Sequence, residues 1–128
     1  MKKFISVLFI MSFSIMMAFS QSEKSEPVQE PTVPYRLFKT NNRWTFIQLD
    51  TVTGKMWQIQ YDTQGDNRGG CVLNERNLAK DKEEVVGRFT LYSTENMWTF
   101  ILLDQIEGNT WQVQWAFEEK ERFVIPIY

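Results

Sequence analysis

Few kinds of side chain here could do chemistry. The 128-residue chain carries 16 Asp and Glu, 14 Lys and Arg, one cysteine and no histidine. Without an imidazole there is no Ser-His-Asp or Cys-His relay, and the commonest zinc ligand is missing. A pair of carboxylates is what remains for catalysis. Asp50 and Asp104 hold matching places in Asp50-Thr51-Val52-Thr53-Gly54 and Asp104-Gln105-Ile106-Glu107-Gly108, and a glycosidase needs two acids of different pKa on either side of one bond. Both acids, however, open a loop that closes on glycine. A β-hairpin loop wants a side-chain oxygen that accepts turn N–H groups and a residue free to adopt positive φ. Two acids in equivalent turns would titrate alike, so a structural role is expected and no catalytic residue is assigned.

The other candidates concern binding. Asp62 to Gly70, DTQGDNRGG, is rich in oxygen and glycine but misses the D-x-[DN]-x-[DN]-G calcium spacing, and its counterpart from Ala116 to Val124 has no such oxygens. A solvated hairpin loop is expected, with no metal and no cofactor. Arg68 in that loop, together with the loop from Ala116 to Arg122, would be the contact if the chain were a small inhibitor or immunity-type protein. Trp44 and Trp98 begin strands beside polar bends and are the candidates for an exposed ring that stacks on a sugar or a partner. Gln58, Gln60, Gln112 and Gln114 form two pairs on the polar side of their strands, where uncharged amides can both donate and accept.

The elements that position these residues come from an internal duplication. Tyr35 to Tyr61 aligns without a gap on Phe89 to Trp115 at a constant spacing of 54, with 13 identities in 27 positions. Chance would give about one or two, so the chain is read as two copies of one unit. Within a copy, short runs of Trp, Phe, Ile, Thr and Tyr alternate with Gly and Asn, which is strand chemistry. The first copy gives strands at Tyr35 to Thr40, Trp44 to Leu49 and Met56 to Tyr61, and a fourth within Arg68 to Asn74. The second strand has no clean polar face and is expected at the interior of its sheet. Pro126 cannot donate to a ladder, which puts the last strand at an edge.

Trp57, Ile59 and Tyr61 alternate with Met56, Gln58 and Gln60, as Trp111, Val113 and Trp115 do with Thr110, Gln112 and Gln114. On that alternation both aromatic faces are expected to supply a shared core. A 40-residue meander seldom buries enough apolar surface to fold alone. The expected fold is therefore all-β: two pseudo-symmetric antiparallel meanders of about four strands each, packed as a β-sandwich or a small barrel. Residues 35–74 and 89–128 are the repeats of one folded domain at 35–128. Between them 75–88 is a charged connector, compatible with a short helix ending near Gly87. Cys71 is read as a small buried hydrophobe, or alternatively as half of an intermolecular bridge.

The first 20 residues read as a secretory signal: Lys2 and Lys3, an apolar run from Phe4 to Met17, and Ala18-Phe19-Ser20 as a cleavage site. The apolar run is shorter than a bilayer span, so no membrane span is expected after cleavage. Gln21 to Pro34 mixes Pro, Ser and charge and is expected to be a disordered tether. Loss of the two lysines takes the net charge from −2 to −4, which speaks against nucleic acid as a partner.

The doubled pattern W-T-F-I-x-L-D-x-x-x-G-x-x-W-Q-[IV]-Q, with Val124-Ile125-Pro126-Ile127-Tyr128 at the end, resembles small exported two-repeat β proteins of gut-type Gram-negative bacteria. The resemblance covers most of the chain after the tether. It implies export and an all-β fold, and it implies no functional residue. The sequence thus points to an exported, non-catalytic binding module in the periplasm or outside the cell. Its expected partner is an envelope or extracellular protein ahead of a glycan.

Overall fold

A computed structural model describes residues 31–128. The expected signal at 1–20 and the expected tether up to residue 30 lie outside the described residues. Each copy forms one antiparallel meander. The first is β1 (Tyr35–Lys39), β2 (Thr45–Asp50), β3 (Met56–Gln60) and β4 (Gly69–Asn74); the second is β5 (Phe89–Ser93), β6 (Thr99–Asp104), β7 (Thr110–Gln114) and β8 (Phe123–Ile127). Strand order follows the chain in both four-stranded sheets. β2 and β6 are therefore interior, and β8 with its Pro126 is an edge.

The duplicated turns form in the same way twice. Asp50 Oδ1 accepts the N–H groups of Val52 and Thr53 while Gly54, at φ +77°, donates to the Asp50 carbonyl at 2.9 Å. Asp104 does the same for Ile106 and Glu107, and Gly108 at φ +78° closes that loop at 2.8 Å. An L side chain at either glycine would sit in the left-handed region and strain the loop. The tight bends are also duplicated: Asn42 Oδ1 accepts the Trp44 N–H, and Asn96 Oδ1 the Trp98 N–H, both at 2.9 Å.

The sheets pack face to face as a sandwich and do not close into a barrel. They are stitched at two corners. Thr51 is fully buried, and its Oγ1 donates to the Val33 carbonyl at 2.6 Å and accepts from the Gly87 N–H at 3.0 Å, while its carbonyl accepts the Phe89 N–H at 2.9 Å. At the other corner Arg76 Nη2 donates to the Val124 carbonyl at 2.6 Å. The connector contains turns and no helix, with Asp81 at φ 63°. The one helical element among the described residues is a 3-10 turn at Glu119–Glu121.

The packing overturns the expectation of a core shared by equivalent faces. In the second sheet Phe89, Leu91, Phe100, Leu102, Trp111, Val113, Trp115 and Val124 are buried, as the alternation predicts. In the first sheet the buried positions are Ile47, Leu49, Met56 and Leu73, which lie on the opposite side of the repeat. Equivalent residues accordingly have opposite fates. Leu37 is 63% exposed and Leu91 5%, Tyr35 is 56% and Phe89 1%, and Tyr61 is 40% and Trp115 0%. The reverse holds on the other side, where Leu73 is 8% exposed and its counterpart Ile127 is 45%. Trp57 and Ile59 are half-buried rather than core.

The two copies therefore meet front to back. A two-fold interface would use the same patch on both, and this one uses different patches, which makes it heterologous. The sequence differences between copies fit that arrangement. The first copy has Met56 where the second has Thr110, which favours burying the Met56 side. It has Gln48 where the second has Leu102, which favours exposing the Gln48 side.

Candidate functional site: the outer face of the first sheet

Front-to-back packing leaves the aromatic side of the first sheet without a covering layer among the described residues. Cross-strand register lays its residues in rows. Leu37, Gln48, Trp57 and Val72 form one row across all four strands, and Lys39, Phe46, Ile59 and Gly70 form the next. Tyr35 opposite Asp50 begins a third. Tyr61 continues the same side beyond β3, with its ring 5.3 Å from Trp44 and 6.2 Å from Phe46. The Arg43 guanidinium lies 4.7 Å over the Trp44 ring. The surface is contiguous, aromatic and aliphatic with sparse polar groups, and is larger than the single exposed apolar residues usual on a protein surface.

The face is shallow and open. Tyr35, Gln48, Trp57, Ile59 and Gly70 line a depression of about 370 Å³. Gly70 opens it, because a Cβ there would come within 3.0 Å of Ile59 Cδ1, whereas the second copy has Val124 at that place and buries it.

The sequence-derived candidates scatter. Trp44 is half-buried at the margin of this face. Trp98 instead packs against the core, 4.6 Å from Trp115 and 5.6 Å from Phe117. Gln58 is not on a solvated face: it is buried between the sheets, its Nε2 donates to the Ala116 carbonyl at 3.0 Å, and its Oε1 has no protein partner. The flip that buries Met56 carries Gln58 inward with it. Gln60 and Gln114 brace the long loops through the Asn67 and Glu121 carbonyls. Gln112 is half-buried on the outer side of the second sheet. Arg68 is exposed and lies 3.9 Å from the exposed Asp66. Cys71 is a free, half-buried thiol beside Gln58 in the register.

The carboxylates are occupied structurally. Arg88 and Asp104 are both buried and paired at 2.9 Å, with a second bond from Arg88 Nε at 3.2 Å. Burial would raise the Asp104 pKa; the hydrogen bonds from Arg88 and from the N–H groups of Ile106 and Glu107 outweigh it and hold the carboxyl below its usual 3.8. The same pair holds Arg88 above its usual value, against the cost of burial. Pro34 stands where the second copy has Arg88, so Asp50 has no such partner among the described residues, and the two acids do not share an environment as the repeat suggested. Asp62 is lowered by the Gln64 N–H, with Asn67 adding backbone and side-chain bonds; its oxygens hold the loop together.

No helix among the described residues is long and apolar enough to cross a membrane. No family model matches the chain, and no curated protein or solved structure is significantly similar to it.

Proposed function

We propose that the protein is an exported, non-catalytic binding module of the cell envelope, and that it binds another protein through the outer face of its first sheet. One observation carries the reading: the residues whose counterparts make the core of the second sheet, Tyr35, Leu37, Phe46, Trp57, Ile59 and Tyr61, form an open surface in the first. Aliphatic Leu37, Ile59 and Val72 within that surface favour a protein over a sugar, whose recognition needs a denser set of hydrogen-bonding groups around the rings. The ring pair of half-buried Trp44 and exposed Tyr61 favours a glycan as the second reading.

The test is capture from the envelope and secreted fractions of the host with four baits. A protein held by the unaltered chain and by Arg68→Ala, and lost with Leu37→Glu, supports the outer face. Loss with Arg68→Ala alone would move the contact to the Asp62–Gly70 loop, as an inhibitor requires. Retention of soluble polysaccharide in place of protein, lost with Trp44→Ala, would establish the glycan reading.

A further inference from the structure

The internal interface says what fits the open face. Within the molecule the inner face of the second sheet, with Phe89, Leu91, Phe100, Leu102, Trp111 and Val113, is covered by Ile47, Leu49, Met56 and Leu73 of the first. The repeat equivalents of the covered set are the outer residues of the first sheet. The equivalents of the covering set are Ile101, Leu103, Thr110 and Ile127, which lie on the outer side of the second sheet together with Tyr92 and Ile125. Of these, Tyr92, Ile125 and Ile127 are about half exposed. Each end of the molecule thus carries the repeat counterpart of one half of the interface in the middle, with Gln48 and Gly70 for Leu102 and Val124 on the first face and Thr110 for Met56 on the second.

We infer that the outer face of the first sheet binds the outer face of the second sheet of another copy, so that the chain associates head to tail. This rests on the proposed binding face and names its occupant. The association repeats the front-to-back step made inside the chain, and because it is heterologous it leaves one open face at each end of any assembly that does not close into a ring. Magnitude sets its strength. Four strands about 4.8 Å apart and five residues long at about 3.3 Å each give roughly 300 Å² of projected face per partner. The pair then buries about 600 Å², below the roughly 1,200 Å² of a stable complex, so association is weak and depends on concentration. The internal copy of this interface needs no such concentration because its halves are tethered by the connector. Lys39, Arg43 and Asp50 belong to the first face or its margin, whereas the residues named on the second are uncharged, so no like-charge contact opposes the stack.

The test uses the chain purified after export and its own processing, studied by sedimentation velocity from about 20 μM to about 1 mM, a range that brackets an interface of this size. The unaltered chain should rise at least about 1.5-fold in weight-average mass over that range. Leu37→Glu and Ile125→Glu should each stay monomeric, since each destroys one of the two faces. An equimolar mixture of the two should form a dimer and nothing larger, because only one pair of intact faces remains. Val72→Glu and Tyr92→Glu give the same tests at other exposed positions if either first variant loses the native unfolding transition. The inference is overturned by a chain monomeric at the highest concentration, by a single variant that dimerises as the unaltered chain does, or by a mixture that stays monomeric. Capture of a foreign protein that Leu37→Glu abolishes, from a chain that does not self-associate, would overturn this inference and leave the proposed function standing.

Discussion

Leu37 and Leu91 are the same residue at the same place in two copies of one sequence, and front-to-back packing gives them different energies. Leu91 is 5% exposed within the core, and Leu37 is 63% exposed on the open face. Truncating a fully buried leucine to alanine costs about 3 kcal/mol once the cavity is included. Leu37 retains roughly a third of its burial and leaves no enclosed cavity, so at about 0.8 kcal/mol per methylene its loss is about 0.8 kcal/mol. The difference, about 2 kcal/mol, is roughly a 30-fold difference in the folding equilibrium. The assay is urea unfolding followed by tryptophan fluorescence at a few micromolar, where association between copies contributes nothing. With a slope of about 1.2 kcal/mol/M, Leu91→Ala should lower the midpoint by about 2.5 M and Leu37→Ala by about 0.7 M. On the other side of the repeat the order reverses: Ile47→Val, at a fully buried site, should cost about 1 kcal/mol and Ile101→Val a few tenths. Equal losses for Leu37→Ala and Leu91→Ala would refute the reasoning, because they would mean that both copies bury the same face.

Three further substitutions probe buried polar groups. Arg88→Met should cost about 3–5 kcal/mol, since it leaves Asp104 buried without its partner. The same pair shapes the acid limb. Because the folded-state pKa of Asp104 is depressed, its contribution is complete above the unfolded value of about 3.8 and is lost as pH falls through the lower folded value. Asp104→Asn should therefore flatten the stability profile below pH 4 in urea titrations, and an unchanged slope would remove Asp104 from that limb. Gln58→Met should be neutral or stabilising by about 1 kcal/mol, because a buried amide oxygen without a partner is replaced by an apolar chain. The Ala116 carbonyl keeps its bond from Arg122 Nε at 2.8 Å. A loss above about 2 kcal/mol would show that the amide is fully satisfied by water or protein.

Much of the architecture was legible. The duplicated Asp-to-Gly turns, the interior position of β2 and the edge position of the Pro126 strand follow from local chemistry that neighbours do not override. Facing was not legible from alternation. Both sides of β2 and β6 are apolar, so neither copy states alone which side is core, and the Trp57-Ile59-Tyr61 alternation pointed the wrong way. The signal was in the differences between copies. Tyr35 for Phe89, Gln48 for Leu102 and Gly70 for Val124 make one side of the first sheet more tolerant of water, while Phe38 for Tyr92 and Met56 for Thr110 make the other side more apolar. Gln58 was misplaced by the same error, because it was carried inward with Met56. The Arg88–Asp104 pair was hidden by the repeat itself, since Asp50 has Pro34 where Asp104 has Arg88.

Both the proposed binding face and its proposed occupant depend on the two copies presenting opposite faces, and thiol accessibility tests that most directly. With Cys71→Ser as background, a single cysteine is placed by Leu37→Cys in one protein and by Leu91→Cys in another, and each is titrated with a small aromatic disulfide reagent under native conditions. With opposite faces presented, the thiol at position 37 should react within about tenfold of a free thiol, and that at position 91 should be slower by at least about a hundredfold, its reaction waiting on opening of the core. Comparable protection at both positions, or a faster reaction at 91, would contradict that arrangement.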